Sequence, residues 1–371
     1  MLLEAATDQP DRTRLATSLV FLANGAGIGA WAASIPGVKS GLGLTGTALG
    51  FGLLMLAAGA MSAMPLAGWL GARRGGLMGP AGALFAAALL LPAAAPGYAA
   101  LLPALFVLGA TNGALDVLMN AHAARVEAAR GQAIMSSFHA CWSLGGLLGA
   151  GGTALAVHLG AGVLPFATAA VAAVIGAAAW MGLGDRAPGD ESAGFAWPSR
   201  AVAGIGALCF LAFMTEGAVA DWSGVFLTGV AGATASGAAA GFAGFSAAMV
   251  LGRVFGDRLV RRFGPALVLR AGAGLAMAGF GLAVLWPAAG AAGFALVGLG
   301  TANMAPLLFS AAGRAGNAAS TGVAAVATLG YAGLLLGPPV IGVAADLIGL
   351  HAALGLLILA AGVLATARLR A

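Results

Sequence analysis

The chain has 371 residues, of which 61% are apolar and 8% charged, and its formal net charge is +5. A soluble domain carries roughly 25% charged residues, so composition excludes a soluble enzyme or a soluble nucleic-acid-binding domain. With a mean hydropathy of +0.99, it indicates a multi-pass membrane protein. Its apolar stretches are helix-length, near 20 residues, rather than the shorter alternating strands of a barrel.

The basic residues flank the apolar segments, so the positive charge points to membrane topology and not to nucleic acid. Residues Met1 to Asp11 are mildly acidic and do not read as a cleavable signal peptide. Cys141 and Cys209 both lie inside apolar segments, so neither a disulfide framework nor a metal cluster is expected. No nucleotide-binding loop or nucleophile–base spacing stands out, so no cofactor and no enzymatic activity are expected.

Twelve apolar segments run along the chain, at about 14–36, 46–70, 76–96, 99–123, 133–157, 161–183, 201–227, 236–256, 266–286, 290–312, 319–345 and 350–367. The first carries Asn24-Gly25-Ala26, with Trp31 following. The turn after the second reads Gly68-Trp-Leu-Gly71-Ala-Arg73-Arg74-Gly75. The fourth carries Asn112, Asp116 and Asn120, four residues apart and therefore on one helix face. The fifth opens Met135-Ser136-Ser137-Phe138-His139 and continues to Trp142. A polar run, 185–200, separates segments six and seven.

The seventh segment carries Glu216-Gly217-Ala218, with Asp221 and Trp222 following. The stretch after the eighth reads Gly252-Arg253-Val-Phe-Gly256-Asp257-Arg258-Leu-Val-Arg261-Arg262-Phe-Gly264. The tenth holds Asn303. The eleventh contains Gly337-Pro338-Pro339, where a break in the helical hydrogen-bond ladder is expected.

With the N-terminus inside, sixteen arginines, Arg253 among them, fall on the inner side and Lys39 alone on the outer side. Both termini are therefore expected in the cytoplasm. The two halves also look like repeats. Arg73 and Arg258 are 185 residues apart, and Asn24-Gly25-Ala26 answers Glu216-Gly217-Ala218.

A carboxylate inside a membrane helix is costly unless it faces protein or water, which makes Glu216 and Asp116 candidate proton carriers. Helices four and five run in opposite directions, which puts His139 within about 3 Å of the depth of Asp116. The two are expected to form a titrating pair. Asn24, Asn112, Asn120 and Asn303 are candidate substrate ligands through their amides. Trp31, Trp142 and Trp222 are candidate stacking surfaces for a sugar or aromatic solute. Each has a plainer alternative: hydrogen bonds that tie helices together for the polar groups, and interface anchoring for Trp31 and Trp222.

Taken together, the twelve segments in six plus six, the polar central run and the basic Gly-rich stretches after segments two and eight resemble the major facilitator superfamily. The Asp116-to-Asn120 run, Glu127 and the Met135-to-Gly145 run resemble its fucose:proton symporter-like and YbjJ-type branch. The resemblance implies an all-α fold of two six-helix bundles, residues 1–184 and 201–371, joined by a cytoplasmic linker, 185–200. Helices 1, 4, 7 and 10 would line a central cavity, and these are the segments that hold Asn24, Asn112, Asp116, Asn120, Glu216 and Asn303. It also implies gating roles for Arg73, Arg74, Asp257, Arg258, Arg261 and Arg262. Ala72 stands where the first copy of the motif is expected to carry an acid.

The expected function is proton-coupled symport of a small polar solute, sugar-like in character, by a monomer in a bacterial inner membrane. The partners expected are the substrate, protons and the lipid bilayer. The alternatives are an efflux antiporter for hydrophobic compounds, which the abundance of Met, Phe and Trp fits, and a non-transporting sensor. Segment five lacks the Gly-Pro signature usual in drug:proton antiporters.

Overall fold

The computed structural model describes residues 2–44, 46–158, 164–178, 199–233, 235–316 and 318–367. The ends of the sixth expected segment and nearly all of the 185–200 linker lie outside the described residues. The described chain is helical, with no strand: α1 (Leu2–Gly41), α2 (Gly46–Arg73), α3 (Met78–Ala88), α4 (Leu91–Ala94), α5 (Tyr98–Arg130), α6 (Met135–His158), α7 (Leu164–Ala178), α8 (Arg200–Gly229), α9 (Ala235–Phe263), α10 (Pro265–Leu285), α11 (Gly290–Thr301), α12 (Met304–Ala315), α13 (Ala319–Ile348) and α14 (Leu350–Thr366). Taking α3 with α4 and α11 with α12 yields the twelve passes expected. Seven of these helices or helix pairs are long and apolar enough to cross a membrane by length and composition.

Two expected segments are broken, each for a covalent reason. Pro92 has no N–H to donate to the Ala88 carbonyl four residues back, and α3 ends at Ala88. Pro306 likewise leaves the Ala302 carbonyl without its helical donor, and the helix is interrupted at Ala302-Asn303. At Gly337-Pro338-Pro339 the helix is not ended: α13 continues to Ile348. The proline φ is helical, and here only the local N–H bonds are lost.

The stretch after segment eight is not a loop. Helix α9 carries Arg253, Asp257, Arg258, Arg261 and Arg262 and ends at Phe263. Gly264 alone connects it to α10, at φ +81°, a left-handed turn that favours glycine. Gly349 makes the matching one-residue turn between α13 and α14, at φ +82°.

The chain forms two compact units. The first is Met1–Gly131, Phe138–Ser199 and Gly313–Thr328; the second is Gln132–Ser137, Arg200–Ala312 and Leu329–Ala371. Thus α6 begins in the second unit and α13 begins in the first.

In the first unit, α1 and α6 meet through small residues spaced by four. A Cβ at Gly145 would run into the Leu22 carbonyl, one at Gly149 into the Ala26 carbonyl, and one at Gly25 into the Trp142 carbonyl. Backbones therefore touch, which suits helices that gain no hydrophobic drive from lipid. Helix α2 meets α5 the same way, through Gly59 against the Phe106 carbonyl and Gly109 against the Leu56 carbonyl. In the second unit, Gly333 of α13 lies against the Phe210 carbonyl of α8.

Gly145→Val should lower stability by about 1–3 kcal/mol, the cost of overpacking a close contact. Gly274→Ala, where an added Cβ meets nothing within 4 Å, should instead raise it by about 0.5–1 kcal/mol, the helix-propensity gain of alanine over glycine. Unfolding curves of the purified protein in detergent check both.

Candidate functional site

Each unit encloses a polar cluster. In the first unit, α5 presents Asn112, Asp116 and Asn120, all buried. From α1, the Asn24 amide donates to Asn112 Oδ1 at 2.9 Å. From α6, the Trp142 indole N–H donates to Asn24 Oδ1 at 2.8 Å. One turn along α5, Asn120 Nδ2 donates to Asp116 Oδ1 at 3.1 Å and to the Asp116 carbonyl at 2.9 Å. Its Oδ1 accepts from His139 Nε2 of α6 at 3.1 Å. An amide oxygen has no proton, so in this arrangement the imidazole carries one on Nε2.

The expected titrating pair therefore has an intermediary. Asn120 joins Asp116 to His139, offering an amide N–H to the carboxylate and an amide oxygen to the imidazole. A proton can move between the outer two groups only if the amide turns or the helices shift. Around this line the packing is aromatic: Phe21 stacks on Phe138 with ring centroids 5.6 Å apart and meets the His139 ring edge-on at 5.4 Å.

Trp31 is buried in the interior of the first unit, 4% exposed, and so is not an interface anchor. Trp142 and Trp222 are half-buried. Trp222, in the second unit, packs toward Gly342 of α13, and its indole nitrogen is buried with no hydrogen-bond partner.

In the second unit, Glu216 of α8 faces Arg253 of α9. Arg253 Nη2 lies 3.7 Å from Glu216 Oε1, with the arginine side chain 5% exposed and the glutamate 28%. Arg253 Nε also donates to the Ala302 carbonyl at 3.2 Å. This is the carbonyl that Pro306 deprives of its helical donor, so the guanidinium fills the gap in the α11–α12 backbone. Beside it, Asn303 Nδ2 donates to the Gly252 carbonyl at 2.9 Å, while Asn303 Oδ1 is buried without a hydrogen-bond partner. Arg253 thus belongs to the interior and not to an inner loop, which corrects the count of flanking arginines.

Asp257, one turn along α9, caps a helix. Its Oδ1 accepts from the Ser136 N–H at 2.8 Å and its Oδ2 from the Ser137 N–H at 3.0 Å, at the start of α6. A carboxylate there satisfies two orphan donors and faces the positive end of the helix dipole. Arg261 Nη1 donates to the Ala133 carbonyl at 2.8 Å in the same corner. The other expected gating arginines lie along their own helices: Arg73 over the Trp69 ring at 4.7 Å, Arg258 over Phe255 at 5.9 Å and Arg262 over Phe263 at 5.3 Å. Arg74 lines a cavity at the end of α2. In the first unit, Glu127 pairs with Arg314 at 3.6 Å.

Among the described residues, no group of three His, Cys, Asp or Glu side chains could hold a metal ion. An apolar cavity of about 230 Å³ lies between α1, α6 and α7. It touches none of the candidate polar side chains and carries no chemistry of its own. Sequence reasoning did not single out Arg253 as an interior residue. Its position inside the expected eighth segment, 236–256, was the available signal.

The family model for the major facilitator superfamily matches residues 17–338. An uncharacterized MFS-type transporter of Yersinia pestis is 40% identical over 351 residues, covering 92% of this chain and 91% of its own. Membrane protein MosC of Rhizobium meliloti is 36% identical, covering 95% of this chain and 88% of its own. Among solved structures, the MFS transporter FucP superposes with a TM-score of 0.73 at 20% identity, covering 95% of this chain and 96% of its own. Matches that span nearly the whole chain in both directions, together with its twelve helical passes, carry one conclusion: the chain belongs to the major facilitator superfamily of multi-pass membrane transporters.

Proposed function

We propose that this transporter is a proton-coupled symporter of a small polar solute, sugar-like in character. The observation that carries the proposal is the interior ion pair Glu216–Arg253, fastened to the broken helix at Ala302. Charges of this kind inside membrane helices are rare and mark ion and proton pathways. A proton arriving on Glu216 removes the charge that holds Arg253. The guanidinium keeps its hydrogen bond to the Ala302 carbonyl, at the point where the α11–α12 backbone is already interrupted. Protonation in this way becomes a change in helix packing.

The Asp116–Asn120–His139 line of the first unit is the second titrating element. The amides of Asn24, Asn112 and Asn303 are the polar groups that would exchange their present partners for hydroxyls of the solute. FucP of E. coli is a fucose:proton symporter, and the fold likeness supports a solute of similar polarity. The two six-helix bundles, 1–184 and 201–371 with the 185–200 linker between them, would rock about the site and expose it to one side at a time. Protonation would select which state is populated, because the two states hold the proton with different affinity. The positive-inside bias supports both termini being cytoplasmic; the transporter would work as a monomer in the inner membrane, and the Arg73–Arg74 and Asp257–Arg262 regions would gate it.

Glu216→Gln should abolish accumulation driven by a pH gradient while leaving solute counterflow partly intact, both measured in proteoliposomes. Full gradient-driven accumulation in this variant would remove Glu216 from the coupling. Arg253→Gln should cost about 3–5 kcal/mol of stability by stranding the partner carboxylate. The double variant Glu216→Gln/Arg253→Gln should regain part of that loss in detergent unfolding.

A further inference from the structure

Two corners of the protein are built alike, but where one carries Asp257 the other carries Ala72. In the second unit, Gly256 lies against the Ser136 hydroxyl, so that an added Cβ would come within 2.7 Å of Ser136 Oγ. The next residue, Asp257, binds the backbone N–H groups of Ser136 and Ser137 at the start of α6. In the first unit, 185 residues earlier, Gly71 lies against Ser320, with an added Cβ 3.4 Å from Ser320 Cβ and 3.8 Å from its Oγ. The next residue is Ala72. Among the described residues no carboxylate is hydrogen-bonded at the start of α13, a helix of 30 residues whose first turn is the positive end of its dipole.

Two further observations point to a ligand. Ser320 is 2% exposed, and its Oγ is buried with no hydrogen-bond partner. It also lines a small open cleft together with Arg74, His122 and Arg125. Arg125 Nη2 lies 3.4 Å from His122 Nδ1. With that nitrogen accepting, the ring carries its proton on Nε2 and is a further donor. Every chemistry-bearing side chain lining the cavity is therefore a donor, and none is an acid. The cavity walls come from α2, α5, the α2–α3 turn and the start of α13.

We propose that this cavity binds a phosphate-type oxyanion, which takes the place that Asp257 fills in the other corner. The anion accepts from Ser320 Oγ and the first turn of α13 and is neutralised by Arg74 and Arg125. Arginine pairs phosphate oxygens, often in a bidentate way, and a helix N-terminus offers them free N–H groups and a favourable dipole. Bound there, it fastens the start of α13, which groups with the first unit, to α2 and α5. Because α13 continues into the second unit from Leu329, its occupancy governs how freely α13 moves during transport. The anion could be free phosphate or the phosphodiester of an acidic lipid, and the site chemistry is the same for both.

The test uses the purified full-length protein in a neutral detergent. Its melting temperature is followed while sodium phosphate is titrated against sodium chloride of equal ionic strength. A parallel series adds mixed micelles of phosphatidylglycerol or phosphatidylcholine. A rise with phosphate alone identifies a free anion. A rise only with phosphatidylglycerol identifies the lipid. In either case Ser320→Ala and Arg125→Gln should each weaken the half-saturation point by about tenfold, the loss of one charge-assisted hydrogen bond. Ala72→Asp should raise the melting temperature without added anion and remove the response to it. Arg74→Gln, on an exposed side chain, should weaken the half-saturation point as Arg125→Gln does, and carries the test should Ala72→Asp fail to fold. A melting temperature that follows ionic strength only, or a response equal in the wild type and in Ser320→Ala and Arg125→Gln, overturns the proposal.

Discussion

A charged or amide group carried into the interior of an apolar helix bundle has to find its partner there, because lipid offers none. This constraint accounts for the placement of nearly every polar side chain singled out. Asn24 satisfies Asn112 and Trp142 across three helices. Asn120 satisfies Asp116 and His139. Arg253 satisfies Glu216 and a carbonyl that a proline has stranded. Apart from the bond between Asn120 and Asp116, one turn apart on α5, these partnerships join different helices, so a change in them is felt as a shift of one helix against another. That is the property a transporter needs if protonation or solute binding is to alter which state it occupies.

Proline and glycine set the geometry on which those partnerships rest. Pro306 interrupts the α11–α12 pass and exposes the Ala302 carbonyl that Arg253 then takes. Glycines at Gly25, Gly145 and Gly149 bring α1 and α6 so close that Trp142 reaches Asn24. A bulkier residue at any of these positions would separate the backbones and leave the buried amides without partners. Packing and polar chemistry in this chain are the same problem, solved by the same residues.

The helices were legible because long apolar runs dominate the sequence, and the twelve passes follow from counting them. The breaks at Ala88 and at Ala302 were not, because a hydropathy window averages over a single proline. At Gly337-Pro338-Pro339 the ladder loses its donors without ending the helix, since proline has a helical φ and α13 continues. Among the site residues, the shared face of Asn112, Asp116 and Asn120 was readable from their spacing. The mediating role of Asn120 was not, because it depends on how closely α5 and α6 approach. Arg253 was hidden by its neighbours: it sits beside a basic stretch and reads as part of it. The helical continuation of α9 to Phe263 puts it in the interior, where it meets Glu216.

The central claim is that solute and proton move together in the same direction. Purified protein in liposomes carrying an internal pH dye tests it, with sugars, polyols, nucleosides, organic acids and cationic drugs added outside one at a time. Acidification inside on addition of a polar solute, absent from protein-free liposomes, is the expected result and names the substrate class. Alkalinisation inside would mean antiport and would contradict it. So would a flat trace for every solute with protein shown to be folded, since Glu216 and Asp116 would then have no proton to carry.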